Sequence, residues 1–332
     1  MVLAAILGML ALILDAQTAL NGAKEAVLLC LNVVVPSLFP FFFLSALLVA
    51  ALSGARSQVL RPLGRLSRMP EGSEGLLLLG LLGGYPSGAQ AVTQAWRGGM
   101  LSRRQARRLL GFCSNAGPAF LFGIVARQFT SPAAEWVLWG IHMLSSLAVG
   151  MLLPGEPQGH VQLARERITL TGALDRALKT AARVCGWVIV FRIVLAFAEK
   201  WLLWPLPQVW RVAIMGFAEL TYGCTQLGQI TSEPLRMCVC SAMLALGGVC
   251  VTMQTASVTG ALGLGMYIPG KLLQCALSVA LCALYLWGLP GWILAGIFAV
   301  GIAVAKKRVD FSRKLWYSNR KSSAESEGYA VS

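Results

Sequence analysis

The chain has 332 residues, 57% hydrophobic and only 13% charged, with a formal net charge of +14. A soluble domain carries about 25% charged residues, so the composition excludes an ordinary water-soluble fold and predicts an all-α polytopic membrane protein. The excess of Lys and Arg does not point to nucleic acid, because these residues fall in the connections between apolar runs.

The opening stretch, Met1 to Leu7, lacks the basic flank of a secretory leader, and no removed signal peptide is expected. Apolar runs predict eight membrane-spanning helices at about 2–20, 26–51, 109–129, 133–153, 184–204, 237–260, 266–289 and 291–305. Two further apolar runs, 75–95 and 205–230, are interrupted. In the first, Gly83-Gly84-Tyr85-Pro86-Ser87-Gly88 is a poor helix former, since Gly costs about 1 kcal/mol and Pro about 3 kcal/mol relative to Ala. Each arm is about half the roughly 20 residues that a spanning helix needs. Both runs are therefore expected to be re-entrant helical hairpins, their irregular backbone buried by protein or lining a wet cavity. The alternative is a kinked helix that crosses fully.

The predicted organisation follows. Residues 1–25 form an N-terminal transmembrane helix. Residues 26–153 form a first repeat with hairpin 75–95, and 154–183 a basic cytoplasmic loop. Residues 184–289 form a second repeat with hairpin 205–230, 290–305 a last transmembrane helix, and 306–332 a polar cytoplasmic tail. With neither hairpin crossing, all but six of the 28 basic residues (Lys24, Arg127, Arg192, Lys200, Arg211 and Arg236) share one side. That side is predicted to be cytoplasmic, with both termini on it. The Arg-rich piece 101–110 is expected to be an interfacial helix on anionic headgroups. The hairpins then open from opposite sides, an inverted arrangement. Tyr85 and Tyr222, Gly111 and Gly248, and Cys113 and Cys250 share one offset between the halves.

Each half also carries a second break, at Gly111–Pro118 (with Gly117 and Pro118) and at Gly247-Gly248. Paired broken segments in inverted halves point to a midplane transport site. The candidate site residues are Tyr85, Ser87, Ser114 and Asn115 in the first half, and Thr221, Gln226 and Gln254 in the second. The break residues are Gly83, Gly84, Pro86, Gly88, Gly117, Pro118, Gly223, Gly247 and Gly248. The competing reading is helix–helix contact, where small polar residues are routine. Arg192 and Glu219 lie inside apolar runs and are functional by default. A mutual ion pair is the simplest structural role for them. Glu199, Lys200 and Asp15 are expected to snorkel to an interface. None of the nine cysteines forms Cys-x-x-Cys, and only His142 and His160 are present, so neither disulfides nor a metal site is expected. No catalytic constellation is present, and an enzyme is not expected.

The segments Val35-Pro36-Ser-Leu-Phe39-Pro40-Phe41, Gly84-Tyr85-Pro86-Ser87-Gly88-Ala89, Phe112-Cys113-Ser114-Asn115-Ala-Gly117-Pro118 and Glu219-Leu-Thr221-Tyr-Gly223 resemble the YlbJ/SpoVV family of sporulation integral membrane proteins. That family belongs to the nucleoside-recognition Gate domain group, which is similar to the concentrative nucleoside transporters. The resemblance spans roughly residues 26–289 and implies a transporter of a small anionic metabolite, dipicolinic acid, in the outer forespore membrane of a sporulating Firmicute. A nucleoside-type transporter, and a non-transporting membrane protein that docks a partner through its basic loops, are the alternatives. No cofactor is implied beyond a coupling sodium ion or proton. The expected partners are the anionic substrate, the lipid bilayer and a second copy of the chain in a homo-oligomer.

Overall fold

A computed structural model describes residues 2–52, 60–155, 168–289 and Gly296. Among these residues the chain is helical and has no strand. The predicted helix 291–305 and the tail fall outside them, Gly296 apart.

The first departure from expectation is at the N-terminus. Helix α1 (Val2–Leu14) ends at Asp15, whose carboxylate accepts from the Thr18 amide and hydroxyl and caps α2 (Ala16–Leu29). No connection separates residues 20 and 26. Helix α2 runs through Lys24 and Glu25, passes a π-helical turn at Cys30–Val34 and continues as α3 (Val35–Leu52). Gly22, the one helix-weak residue here, is retained because it faces α10 (Leu170–Ala198). A Cβ at Gly22 would lie 2.9 Å from the Ala196 Cβ. Helix α10 likewise begins well before residue 184, so the latter half of the predicted loop 154–183 is helical. It continues through a π-helical turn at Glu199–Leu203.

Two helix–break–helix units follow from the glycine- and proline-rich breaks. After a short helix α4 (Arg61–Leu66), the first unit is α5 (Glu74–Leu82) and α6 (Ser87–Arg97), which pack on each other. Gly84 turns the chain at φ +72°, a conformation open to glycine and strained for other residues. The second unit is α11 (Gln208–Ala218) and α12 (Leu220–Thr225), broken at the extended Glu219. Both units close through glycines. A Cβ at Gly88 would come within 2.8 Å of the Gly80 Cα, and one at Gly223 would run into the Gly216 backbone. Gly223 therefore belongs to the contact between the arms, and the break itself is Glu219.

Each unit is seated on a further interruption. The predicted span 109–129 is not one helix. Helix α7 (Arg103–Leu109) ends, residues 110–117 are irregular, and α8 (Pro118–Phe120) resumes with Pro118 in its first turn. A Cβ at Gly117 would approach the Gly84 backbone to 2.9 Å. In the second half, α13 (Glu233–Leu246) and α14 (Gly248–Thr259) are separated at Gly247, and Gly248 lies against the carbonyls of Gly216 and Phe217. Helices α9 (Ala134–Leu152) and α15 (Tyr267–Leu286) complete the bundle.

Hydrogen bonds define the two ends of this bundle. At one end Arg108 reaches the carbonyls of Ser67, Arg68, Gly150 and Leu153, Arg103 bonds the Ala261 carbonyl, and the Met266 amide bonds the Arg107 carbonyl. Arg108 is thus a buried structural clamp instead of a headgroup ligand. At the other end Thr130 bonds Glu233, Arg236 bonds the Gln128 carbonyl, and Gln208 bonds Gln229 across the base of the second unit. The first unit opens toward the former end and the second toward the latter. Exposed Trp136, Trp201, Trp204, Trp210 and Trp287 ring the second end, as an aromatic belt does at a membrane interface. Among the described residues five helical stretches are long and apolar enough to cross a membrane: Ala16–Leu48, Ala134–Leu152, Leu170–Leu203, Glu233–Leu262 and Tyr267–Leu286.

Candidate functional site

The tips of the two units meet at one cavity. Gly83, Gly84 and Tyr85 line it from the first tip, and Glu219, Leu220 and Thr221 from the second. Ala116, Gly117 and Ala119 border it at one helix break, and Val251 and Gln254 beyond the other. Phe41, Phe42 and Leu38 of α3 close the side. This wall is largely apolar with a few polar groups, as small-molecule sites commonly are. Of the residues singled out by sequence, Tyr85, Glu219, Thr221, Gln254 and the glycines Gly83, Gly84 and Gly117 line it. Gly247 sits one layer behind, at φ +71°, where a side chain would strike the Tyr85 ring at 3.1 Å.

Glu219 is 1% exposed, yet its carboxylate is satisfied locally. It accepts from the amides of Thr221 (3.0 Å) and Tyr222 (2.6 Å) and caps α12. The amides at the start of α12, next to the second break, are thus occupied by the chain's own carboxylate.

Arg192 is not bound to Glu219. Its guanidinium donates to Glu199 (2.8 Å), Glu25 (2.5 Å) and the Tyr222 hydroxyl (3.1 Å), and it stacks 4.0 Å from the Tyr222 ring centroid. Tyr222 in turn donates to Glu199 (3.2 Å). This cluster ties α2 and α10 to the second unit and does not line the cavity. Glu199 therefore belongs to a part-buried network around Arg192. Lys200 bonds Asp15 and Thr18 at the junction of α1 and α2. The expected snorkelling roles of Glu199, Lys200 and Asp15 give way to these ion pairs.

A second network lies behind the first tip. Lys271, placed by charge counting on the cytoplasmic side, is 2% exposed inside α15. Its ammonium donates to Gln274 Oε1 (2.7 Å), the Tyr85 hydroxyl (3.0 Å) and Asn115 Oδ1 (3.4 Å). The Tyr85 hydroxyl donates to the Leu244 carbonyl (3.3 Å), near the end of α13. Asn115 donates to the carbonyls of Gly80 and Phe112 and accepts from Gln274. His142 Nε2 accepts from the Ala116 amide (3.1 Å), holding the break open from α9. Lys271 and His142 escaped sequence reasoning as site residues, although each is an isolated ionisable group within an apolar run.

The remaining candidates lie elsewhere. Ser114 is buried outside the cavity. Gln226 bonds Thr225 and Gln229 near the base of the second unit. Ser87 lines a separate cavity with Ser45, Gln90, Gln94, Arg176 and Thr180. Phe42 is common to both cavities.

Among curated proteins, the sporulation integral membrane protein YlbJ of Bacillus subtilis is 31% identical to this chain over 157 residues. The chain is a relative of YlbJ. The match covers 46% of this chain and 38% of YlbJ, so it spans well under half of that protein's length. The relation to YlbJ and the five long apolar helices together make the chain a multi-pass, helical integral membrane protein. No family model matches the chain, and no solved structure does.

Proposed function

We propose that the chain is a membrane transporter of a small metabolite, which binds between the two tips and is released by alternating movement of one unit against the other. The observation that carries this reading is the convergence of two interrupted units, open at opposite ends of the bundle, on one cavity. Irregular backbone at membrane depth is tolerated where it lines such a site. Phe42, shared by this cavity and the one lined by Ser87 and Arg176, is the barrier between the site and one end. The end rich in Arg, with Arg61, Arg65, Arg97 and Arg103, is the cytoplasmic one by the charge rule.

The sporulation resemblance makes dipicolinate, a planar dicarboxylate, the first substrate to test, in an outer forespore membrane. Glu219 faces the cavity, so a dianion would sit toward Tyr85 and Ala119 or travel with a proton or cation. The test is uptake of labelled dipicolinate into proteoliposomes, with nucleosides as competitors. Saturable dipicolinate uptake supports the reading. Nucleoside uptake keeps the architecture and replaces the substrate. No flux of either from folded protein overturns transport and favours a docking role.

A further inference from the structure

Lys271 raises a physical problem that the transport reading does not solve. An ammonium taken out of water is costly unless paired. Among the described residues no carboxylate forms an ion pair with it. Two aromatic rings stand beside it, Tyr85 and Tyr267, whose centroids lie 5.1 and 5.8 Å from Nζ. Compensation comes from oxygen atoms. Lysine has three N–H donors and no acceptor, and three oxygens, from Gln274, Tyr85 and Asn115, receive them.

These three ligands come from three places: the first tip, the first-half break and α15. Through the Tyr85 hydroxyl the charge is also joined to the Leu244 carbonyl, at the carbonyl end of α13 in the other half. Carbonyl ends of helices favour cations, and breaks of this kind are where transporters bind coupling ions. A cluster of neutral oxygens at the meeting point of two breaks is a cation site, and here the cation is covalently attached.

We infer that Lys271 is the resident cation of the site, taking the place of a dissociable alkali-metal ion and clamping the Gly83–Pro86 tip to the second half. A bound ion that leaves can drive a cycle, whereas a tethered one cannot be exchanged. This site therefore cannot couple uptake to a sodium gradient, a consequence that rests on the transport reading above. The clamp itself does not, and it is tested without transport.

The experiment is thermal unfolding of the purified full-length protein in detergent, in NaCl, KCl or choline chloride at equal ionic strength, with and without n-butylammonium. For the wild type, the same midpoint in all three salts is expected. Lys271→Ala is expected to unfold several degrees lower and to regain part of that loss in NaCl, KCl or n-butylammonium, but not in choline, which is too bulky for the vacated space. Lys271→Met, which fills the space without charge, is expected to stay low in every salt. A wild-type midpoint raised by sodium over choline overturns the inference, as does a Lys271→Met protein as stable as the wild type. If neither variant folds, the wild-type comparison alone decides: sodium stabilisation refutes a tethered cation, and equal midpoints uphold it. Absence of uptake alongside these shifts would discard the transport reading and leave the clamp standing.

Discussion

Arg192 and Glu219 are both buried charges of the second half, and their surroundings give them different work. Arg192 is held by Glu25, Glu199 and Tyr222 away from the cavity. Removing it leaves two carboxylates facing one another, with Glu25 half-exposed to solvent. Arg192→Gln is therefore predicted to lose roughly 2–3 kcal/mol of stability, seen as a lower thermal midpoint, while the KM for substrate stays unchanged. Glu219→Gln keeps an oxygen to cap α12, so its stability cost is about 1 kcal/mol or less. It removes a negative charge from the cavity wall and is predicted to lower the KM for an anionic substrate. An Arg192→Gln protein of normal stability and altered KM would reverse these assignments. The depth of both charges was legible in the sequence, but their partners were not. Glu199 lies seven residues from Arg192, two turns along the same face of α10, a signal that was present. Glu25 is brought in only by the packing of α2 on α10. Lys271 was hidden by charge counting, because position along the chain does not show that it lies on the buried face at the start of α15, with Tyr267 and Gly270.

At the scale of elements, each unit depends on glycines that allow its arms to touch. A side chain at Gly88 would overlap the Cys113 carbonyl and Gly80, and one at Gly223 the backbone of Gly216. Gly88→Val and Gly223→Val are predicted to cost about 3 kcal/mol or more, since overpacking a rigid contact typically costs 1–3 kcal/mol and backbone leaves little room to relax. Size-exclusion recovery and thermal midpoint measure this. Gly140→Ala in α9, where nothing lies within 4 Å, serves as the tolerated control. The breaks themselves were legible, because Gly and Pro disfavour helix wherever they cluster. The continuity of α2 was not. Lys24 and Glu25 look like a connection between two spans, yet the helix tolerates them because Glu25 is neutralised by Arg192 and Lys24 is exposed. The predicted span 109–129 failed for the opposite reason. Its apolar character is that of a buried, irregular strap, with residues 111–117 threaded beneath the first tip.

At the scale of the molecule, the proposed transport cycle needs the two units in opposite orientations around one cavity. An epitope inserted after Gly99, at the turn beyond α6, and one inserted after Trp204, before α11, are predicted to be reachable from opposite sides of the membrane in intact cells and inverted vesicles. Accessibility of both from one side would rule out the inverted arrangement. The most direct test of the central claim is labelled-metabolite uptake by proteoliposomes carrying the wild type or Val251→Trp, a variant that fills the cavity from α14. With both proteins shown to be folded by the same thermal midpoint, the account predicts saturable uptake by the wild type and loss of at least nine-tenths of it, on the order of the tenfold that about 1.4 kcal/mol supplies, in Val251→Trp. Equal uptake by the two proteins would show that the substrate does not pass between the tips.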